Sequence, residues 1–214
     1  HIVILGATGS LGTQVLDIIR RYPQRFQVTG VSANKNEDKL RKIEKEWKCE
    51  KTCLLTKTSL AENLVDSSID HLMVLDHGLQ SLKAVLKALA MKKRVSIANK
   101  ELMVVHGEEI VYLAQERQAE LIPLDSEHNA IFQCLRGETS HSLQRLILTA
   151  SGGPFRAQKR EELKAVTPKE VLKHPTWTMG QKTTVDSATL VNKAFEVIEA
   201  HHLFEIPYDR IEVR

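Results

Sequence analysis

Asp125, Ser126, Glu127 and His128 stand in a row where the apolar run Leu121-Ile122-Pro123-Leu124 ends, and apolar residues resume at Ala130-Ile131-Phe132. Two carboxylates at this spacing support two readings. Asp or Ser makes a good helix N-cap, and acids in a first turn complement the helix dipole. The same acids follow a β-rich run, and ligands collect beyond the carboxyl ends of parallel strands. A third acid could come from the amphipathic segment 187–202. At about 100° per residue, Leu190, Val191, Ala194, Phe195, Val197 and Ile198 share an apolar face there, and Asn192, Lys193, Glu196 and Glu199 share the other. A solvated face explains that arc as well as a site does. If the acids converge, oxygen donors without a cysteine or histidine cluster suit Mg²⁺ or Mn²⁺ better than zinc.

A second chemical signal lies in H-I-V-I-L-G-A-T-G-S-L-G-T-Q-V-L-D, where Gly6, Gly9 and Gly12 separate a β-rich run from a helical one. This G-x-x-G-x-x-G spacing is a relative of the dinucleotide fingerprint, in which glycines allow a tight turn and close approach to a pyrophosphate at a helix N-terminus. A ligand-free turn is the plainer alternative. An NAD site usually carries an acid at the end of the second strand, to hold the ribose 2′-hydroxyl. Here the corresponding residues are Asn34-Lys35-Asn36, a cation where a carboxylate would repel a phosphate, which favours NADP(H).

The elements that must position these residues follow from periodicity. Strand candidates at 2–5, 27–32, 52–55, 71–75, 94–98 and 120–124 alternate with amphipathic stretches at 13–21, 37–47, 79–92 and 107–118. That alternation predicts an α/β fold, a Rossmann-like doubly wound parallel sheet with helices on both faces. After residue 124 the character changes. A further strand at 146–149 leads into Ser151-Gly152-Gly153-Pro154, which opens about thirty residues of weak periodicity, and loops of that length are usually functional or disordered. The expected division is 1–124, a nucleotide-binding domain, and 125–214, part of an α/β catalytic domain.

The bulk properties exclude other classes. The 214 residues are 42% hydrophobic and 27% charged, ordinary for a globular protein, and a net charge of +3 does not argue for nucleic acid. Basic residues between Lys39 and Lys51 are interleaved with Glu and read as a solvated helix face. Cys49, Cys53 and Cys134 are odd in number and lack paired zinc spacing. No apolar run approaches the ~18 residues that span a bilayer, so no membrane partner is expected. The sequence begins directly in a strand and stops at Ile211-Glu212-Val213-Arg214, which reads as the start of another, so it is expected to be a piece of a longer protein.

Taken in order, G-A-T-G-S-L-G, A-N-K-E at Ala98, L-I-P-L-D-S-E-H-N-A-I-F-Q, A-S-G-G-P-F-R at Ala150, H-P-T-W-T-M-G at His174 and V-D-S-A-T-L-V-N-K-A-F-E at Val185 closely resemble the 1-deoxy-D-xylulose 5-phosphate reductoisomerase family. The glycine loop is common to many folds; the D-S-E-H-N-A-I-F-Q block and the D-S-A-T-x-x-N-K helix are far more specific. The resemblance implies isomerisation of a ketose phosphate by breaking and remaking a carbon–carbon bond, then reduction of the resulting aldehyde by NADPH, with Mn²⁺ or Mg²⁺ as Lewis acid.

Carried over residue by residue, the resemblance makes Asp125, Glu127 and Glu196 the metal ligands, with Lys100 between them and the nicotinamide. Ser126 would touch the substrate hydroxyls, and Ser151, Ser187, Asn192 and Lys193 would hold its phosphate. His174 and Trp177 would lie on a lid over the substrate. Thr8, Gly9, Ser10, Leu11, Asn34, Lys35, Asn36, Asn99 and Glu101 would surround NADPH. It also implies a homodimer, in the bacterial cytoplasm or the plastid stroma, and a chain that continues past Arg214, so that 1–214 alone is expected to be weakly active or inactive.

Two departures stand out. Where the family usually has a small-residue G-A-A-type turn near the cofactor, this chain has Leu75-Asp76-His77, whose bulk and charge could perturb the nicotinamide side. Asn34 stands where the family often has Gly. Two rival classes remain: another NADP-dependent dehydrogenase of the same nucleotide fold, and a non-catalytic dinucleotide-binding homologue. A short-chain reductase is excluded, because it needs Lys four residues after Tyr, and Tyr22, Tyr112 and Tyr208 are followed there by Phe26, Glu116 and Glu212.

Overall fold

The computed structural model describes residues 1–57, 60–138, 142–173 and 180–214. The chain divides into two compact units, His1–Cys134 and Leu135–Arg214.

In the first unit, six strands form one parallel sheet: β1 (Ile2–Leu5), β2 (Val28–Ala33), β3 (Lys51–Leu54), β4 (His71–Val74), β5 (Arg94–Ile97) and β6 (Leu121–Pro123). Their order is β3-β2-β1-β4-β5-β6, the doubly wound arrangement, with the reversal of winding between β1 and β4. Every residue of β1 and β2 is buried, which is why β1 reads as an unbroken apolar run instead of an alternating one. Helices α1 (Ser10–Arg21), α2 (Glu37–Trp47), α3 (Leu82–Ala90), α4 (Lys100–Arg117) and α5 (Ser126–Cys134) complete the unit. Leu16 and Ile19 of α1 and Leu40 and Ile43 of α2 bury against Ile2, Ile4, Val28 and Val31 of the sheet. α2 is fixed at both ends: the Asn36 side chain accepts the Lys39 N–H, and Lys48 takes the left-handed conformation that stops the helix.

Since all six strands run the same way, their carboxyl ends share one edge. That edge receives the glycine loop after β1, Asn34 to Asn36 after β2, Asp76 to Gly78 after β4, Asn99 and Lys100 after β5, and Asp125 after β6. α5 packs on β6 and so belongs to this unit. The change in sequence character after residue 124 marks the carboxylate-bearing turn, and the compact unit runs ten positions further, to Cys134.

The second unit holds a parallel pair, β7 (Leu146–Leu148) and β8 (Ile211–Val213), with α6 (Pro168–Val171), α7 (Gln181–Ala188) and α8 (Val191–Phe204). The stretch 187–202, which reads in sequence as one helix, is two. Leu190 takes φ +62°, so the backbone turns between α7 and α8. The expected burial is also reversed. Leu190 and Val191 are exposed, whereas Lys193, Glu196 and Glu199 are buried. α4 likewise begins seven positions before the 107–118 stretch, with a kink at His106, because Asn99 caps it.

Candidate active site

The glycine loop closes through its own backbone. Gly9 N–H donates to Gly6 O at 3.0 Å, Gly6 N–H donates to Ser32 Oγ at 3.2 Å, and Thr13 Oγ1 donates to Gly9 O at 2.8 Å. A side chain at Gly6 (φ +83°) would place its Cβ 2.7 Å from the Asp76 nitrogen, so only glycine lets β1 and β4 end this close together. Thr8 is half-buried, Gly9 is exposed on the loop, and Ser10 and Leu11 are exposed in the first turn of α1. Asn34, Lys35 and Asn36 are exposed as well. Lys39, which the sequence reading assigned to a solvated face, instead donates from Nζ to Thr8 O at 2.8 Å and to Thr13 Oγ1 at 2.9 Å, tying α2 to the loop.

On the other side of the winding reversal, Asn99 is fully buried. Its Nδ2 donates to Asp76 Oδ1 at 3.2 Å and to Gly78 O at 2.9 Å, and its Oδ1 accepts the Leu102 N–H at 3.0 Å. Glu101 lies 4.0 Å from the His77 ring. Asp76 does not project into the crevice. It is 7% exposed and accepts from Ser81 Oγ as well as from Asn99. Burial pushes its carboxyl above the usual range, with those two hydrogen bonds opposing the shift.

At the end of β6, Asp125 is engaged on both oxygens, by the Lys100 ammonium on one and by His128 Nδ1 at 3.0 Å on the other. Burial alone would raise this carboxyl, but His128 and Lys100 overcome it and hold it well below the ordinary carboxylate range. Asp125 is therefore an ionised acid between the Lys100 ammonium and the His128 ring. Ser126 Oγ donates to Glu127 Oε2 at 2.5 Å in the first turn of α5. His128, with 0% exposure, was not singled out in the sequence; its spacing three residues after Asp125, on one helix face, is the signal that could have found it.

Within the second unit the predicted phosphate residues come together. Gly152 and Gly153 both take positive φ, and a Cβ at Gly153 would lie 2.8 Å from Ser187 O, which seats the Ser151 loop against the end of α7. Gly153 N–H donates to Ser151 Oγ at 3.2 Å. Lys193 reaches back to Thr149 O at 2.6 Å and pairs with Glu196, which also accepts from the Asn192 amide. Glu196 is 1% exposed. On that buried side Lys193 and Glu196 neutralise one another, as buried charge requires. His174 and Trp177 lie outside the described residues.

Asp125, Glu127 and Glu196 are all carboxylates, hard oxygen donors of the kind that Mg²⁺ and Mn²⁺ take. Two of them, Asp125 and Glu196, already face an ammonium, from Lys100 and Lys193 respectively. Each is a donor type that a hard divalent cation takes.

The strand order, the glycine loop and the residues along the strand ends together define a dinucleotide-binding α/β protein of the doubly wound class. The 1-deoxy-D-xylulose 5-phosphate reductoisomerase model matches residues 2–64 and 49–107, and the model of that enzyme's C-terminal domain matches 121–204. The reductoisomerase of Clostridium botulinum (strain Langeland) is 42% identical over 236 aligned residues, covering 100% of this chain and 61% of the relative. That of Geobacillus sp. (strain WCH70) is 42% identical over 233 residues with the same coverage. Among solved structures, a DOX-P reductoisomerase in complex with NADPH, fosmidomycin and magnesium superposes with a TM-score of 0.89 at 34% identity, covering 99% of this chain and 60% of that one. The Zymomonas mobilis reductoisomerase in complex with NADPH gives 0.86 at 37%, with the same coverage. The chain belongs to the 1-deoxy-D-xylulose 5-phosphate reductoisomerase family. It spans about three fifths of the length of the curated relatives it matches.

Proposed function

We propose that the protein to which this chain belongs converts 1-deoxy-D-xylulose 5-phosphate to 2-C-methyl-D-erythritol 4-phosphate, by isomerisation and NADPH-dependent reduction with a divalent metal, in non-mevalonate isoprenoid precursor synthesis. Family membership supports this, as do the NADPH, fosmidomycin and magnesium held by a related structure. The observation from this chain that carries it is the inward-turned charged side of α8, with Lys193 and Glu196 buried and Asn192 beside them.

NADPH supplies a hydride and the cation supplies Lewis-acid polarisation when bound. The chain's own residues do the rest. Asp125, Glu127 and Glu196 are the proposed holders of the cation. Lys100, whose ammonium offsets the Asp125 charge, serves between that cation and the nicotinamide. Ser126 hydrogen-bonds the substrate hydroxyls. Ser151, Ser187, Asn192 and Lys193 bind the phosphate, with the Lys193 ammonium providing charge-assisted bonds. Binding energy from that remote group orients the reacting carbons; the lid role that the resemblance gives His174 and Trp177 falls outside the described residues. Thr8, Gly9, Ser10 and Leu11 line the pyrophosphate, Lys35 answers the 2′-phosphate with Asn34 and Asn36 beside it, and Asn99 and Glu101 flank the nicotinamide half.

A homodimer is the proposed assembly. The bacterial origin of the relatives named above favours the bacterial cytoplasm over the plastid stroma. Among the described residues no helix is long and apolar enough to cross a membrane.

Substituting Glu196→Gln in the full-length protein tests the reading. The variant is expected to lose Mn²⁺-supported NADPH oxidation with the pentulose phosphate while its NADPH affinity, from fluorescence titration, stays within about twofold. Equal loss of both would show that α8 does not serve the metal.

A further inference from the structure

Leu75-Asp76-His77, where the family usually has small residues, puts a carboxylate at the carboxyl end of β4, the first strand past the winding reversal. In a doubly wound sheet the two mononucleotide halves of a dinucleotide lie on either side of that reversal. β1, β2 and β3 serve the adenosine half and β4, β5 and β6 the nicotinamide half. We propose that Asp76 is a positioning residue for the nicotinamide half of NADPH, acting through Asn99 and the start of α4; this rests on the proposed NADPH-dependent function.

The geometry supplies the route. Both Asn99 Nδ2 protons are committed, one to Asp76 Oδ1 at 3.2 Å and one to Gly78 O at 2.9 Å. With Nδ2 held there, the side-chain oxygen must face α4, where it accepts the Leu102 N–H at 3.0 Å and caps the helix. Lys100 is the first residue of that helix, and its ammonium pairs with Asp125. Asp76 therefore decides which way the Asn99 amide points, and the amide in turn sets the first turn of α4. Asn99 is fully buried, so what it hands on is the placement of Lys100 and Glu101 in the first turn of α4. Ser81, just ahead of α3, donates to the second Asp76 oxygen, so the carboxylate is held from both sides. The Asp76 backbone lies within van der Waals distance of Gly6, where a Cβ would be 2.9 Å from Asp76 Cα, so the same residue shapes the wall of the cofactor crevice. A small side chain at this position could not make these bonds.

The test uses the full-length protein and two probes, NADPH and 2′-phospho-ADP-ribose, which lacks the nicotinamide. Wild type should bind both. Asp76→Ala is expected to weaken NADPH about tenfold, as loss of a charge-assisted bond does. The same variant should change 2′-phospho-ADP-ribose less than about twofold, since the adenosine half is served by other strands. Asp76→Asn keeps one acceptor oxygen and should fall between, a partial rescue that general loss of fold would not give. If Asp76→Ala does not fold, Ser81→Ala and Asp76→Asn carry the comparison, with thermal melting as the control on folding. Unchanged NADPH affinity in a folded variant, or equal weakening of both probes, would overturn the role of Asp76. Wild type that binds NADPH without turnover would sink the proposed reaction and leave this inference standing; wild type that does not bind NADPH would sink both.

Discussion

His71, on β4, shows how one side chain ties stability to pH. Its Nε2 lies 2.7 Å from Ser96 Oγ on β5, and burial, aided by Arg94, lowers the imidazole pKa to about 4, with Glu120 opposing. The unfolded chain therefore binds more protons at this position between about pH 6.5 and 4, so this contribution is complete above 6.5 and is lost as pH falls toward 4. His71→Gln, which can keep a hydrogen bond to Ser96, is expected to flatten the fall of the urea midpoint over that window. An unchanged slope would mean that His71 does not carry it. Residues such as this one, and the acids that open α5, show where local spacing stops informing. The Asp125 environment depends on Lys100, 25 positions away, which no sequence window around Asp125 contains. His128 was within reach, three positions on. The Asp76 bonds run to Ser81 and to Asn99, 23 positions away, so its effect on the nicotinamide side was legible only as an anomaly.

At the scale of elements, the βαβ rhythm of the first unit was readable because buried parallel strands and amphipathic helices have different periods. The α2 bounds read from sequence coincide with those observed, and Asn36 marks its start chemically. The α7–α8 break was not readable, because Leu190 in the left-handed region carries no sequence signal of the kind a glycine would give. Nor was the inward turn of the charged face of α8, since periodicity separates the two faces of a helix without saying which one is buried. Gly12 offers a direct check on the α1–β1 junction. A Cβ there would lie 2.5 Å from Gly6 O and 2.6 Å from Ala7 Cα, all backbone atoms that cannot swing aside. Gly12→Ala is expected to cost about 2 kcal/mol in urea unfolding and to weaken NADPH binding with it. Wild-type stability in that variant would show that the junction is looser than described.

For the whole molecule, the doubly wound sheet was legible in the sequence, and the resemblance supplied the family that the matches then established. Composition could not have named it. Lys193 and Glu196 lie in the second unit, and the glycine loop, Asn99, Lys100, Asp125 and Glu127 lie in the first. In the proposed function the first unit binds NADPH, and turnover requires a divalent metal. The most direct measurement follows NADPH absorbance in the full-length protein with 1-deoxy-D-xylulose 5-phosphate, before and after chelation of divalent metal and again after Mn²⁺ or Mg²⁺ is restored. Substrate-dependent NADPH loss that stops on chelation and returns with the metal is expected; oxidation that continues unchanged in the chelated protein would rule out the metal-dependent reaction.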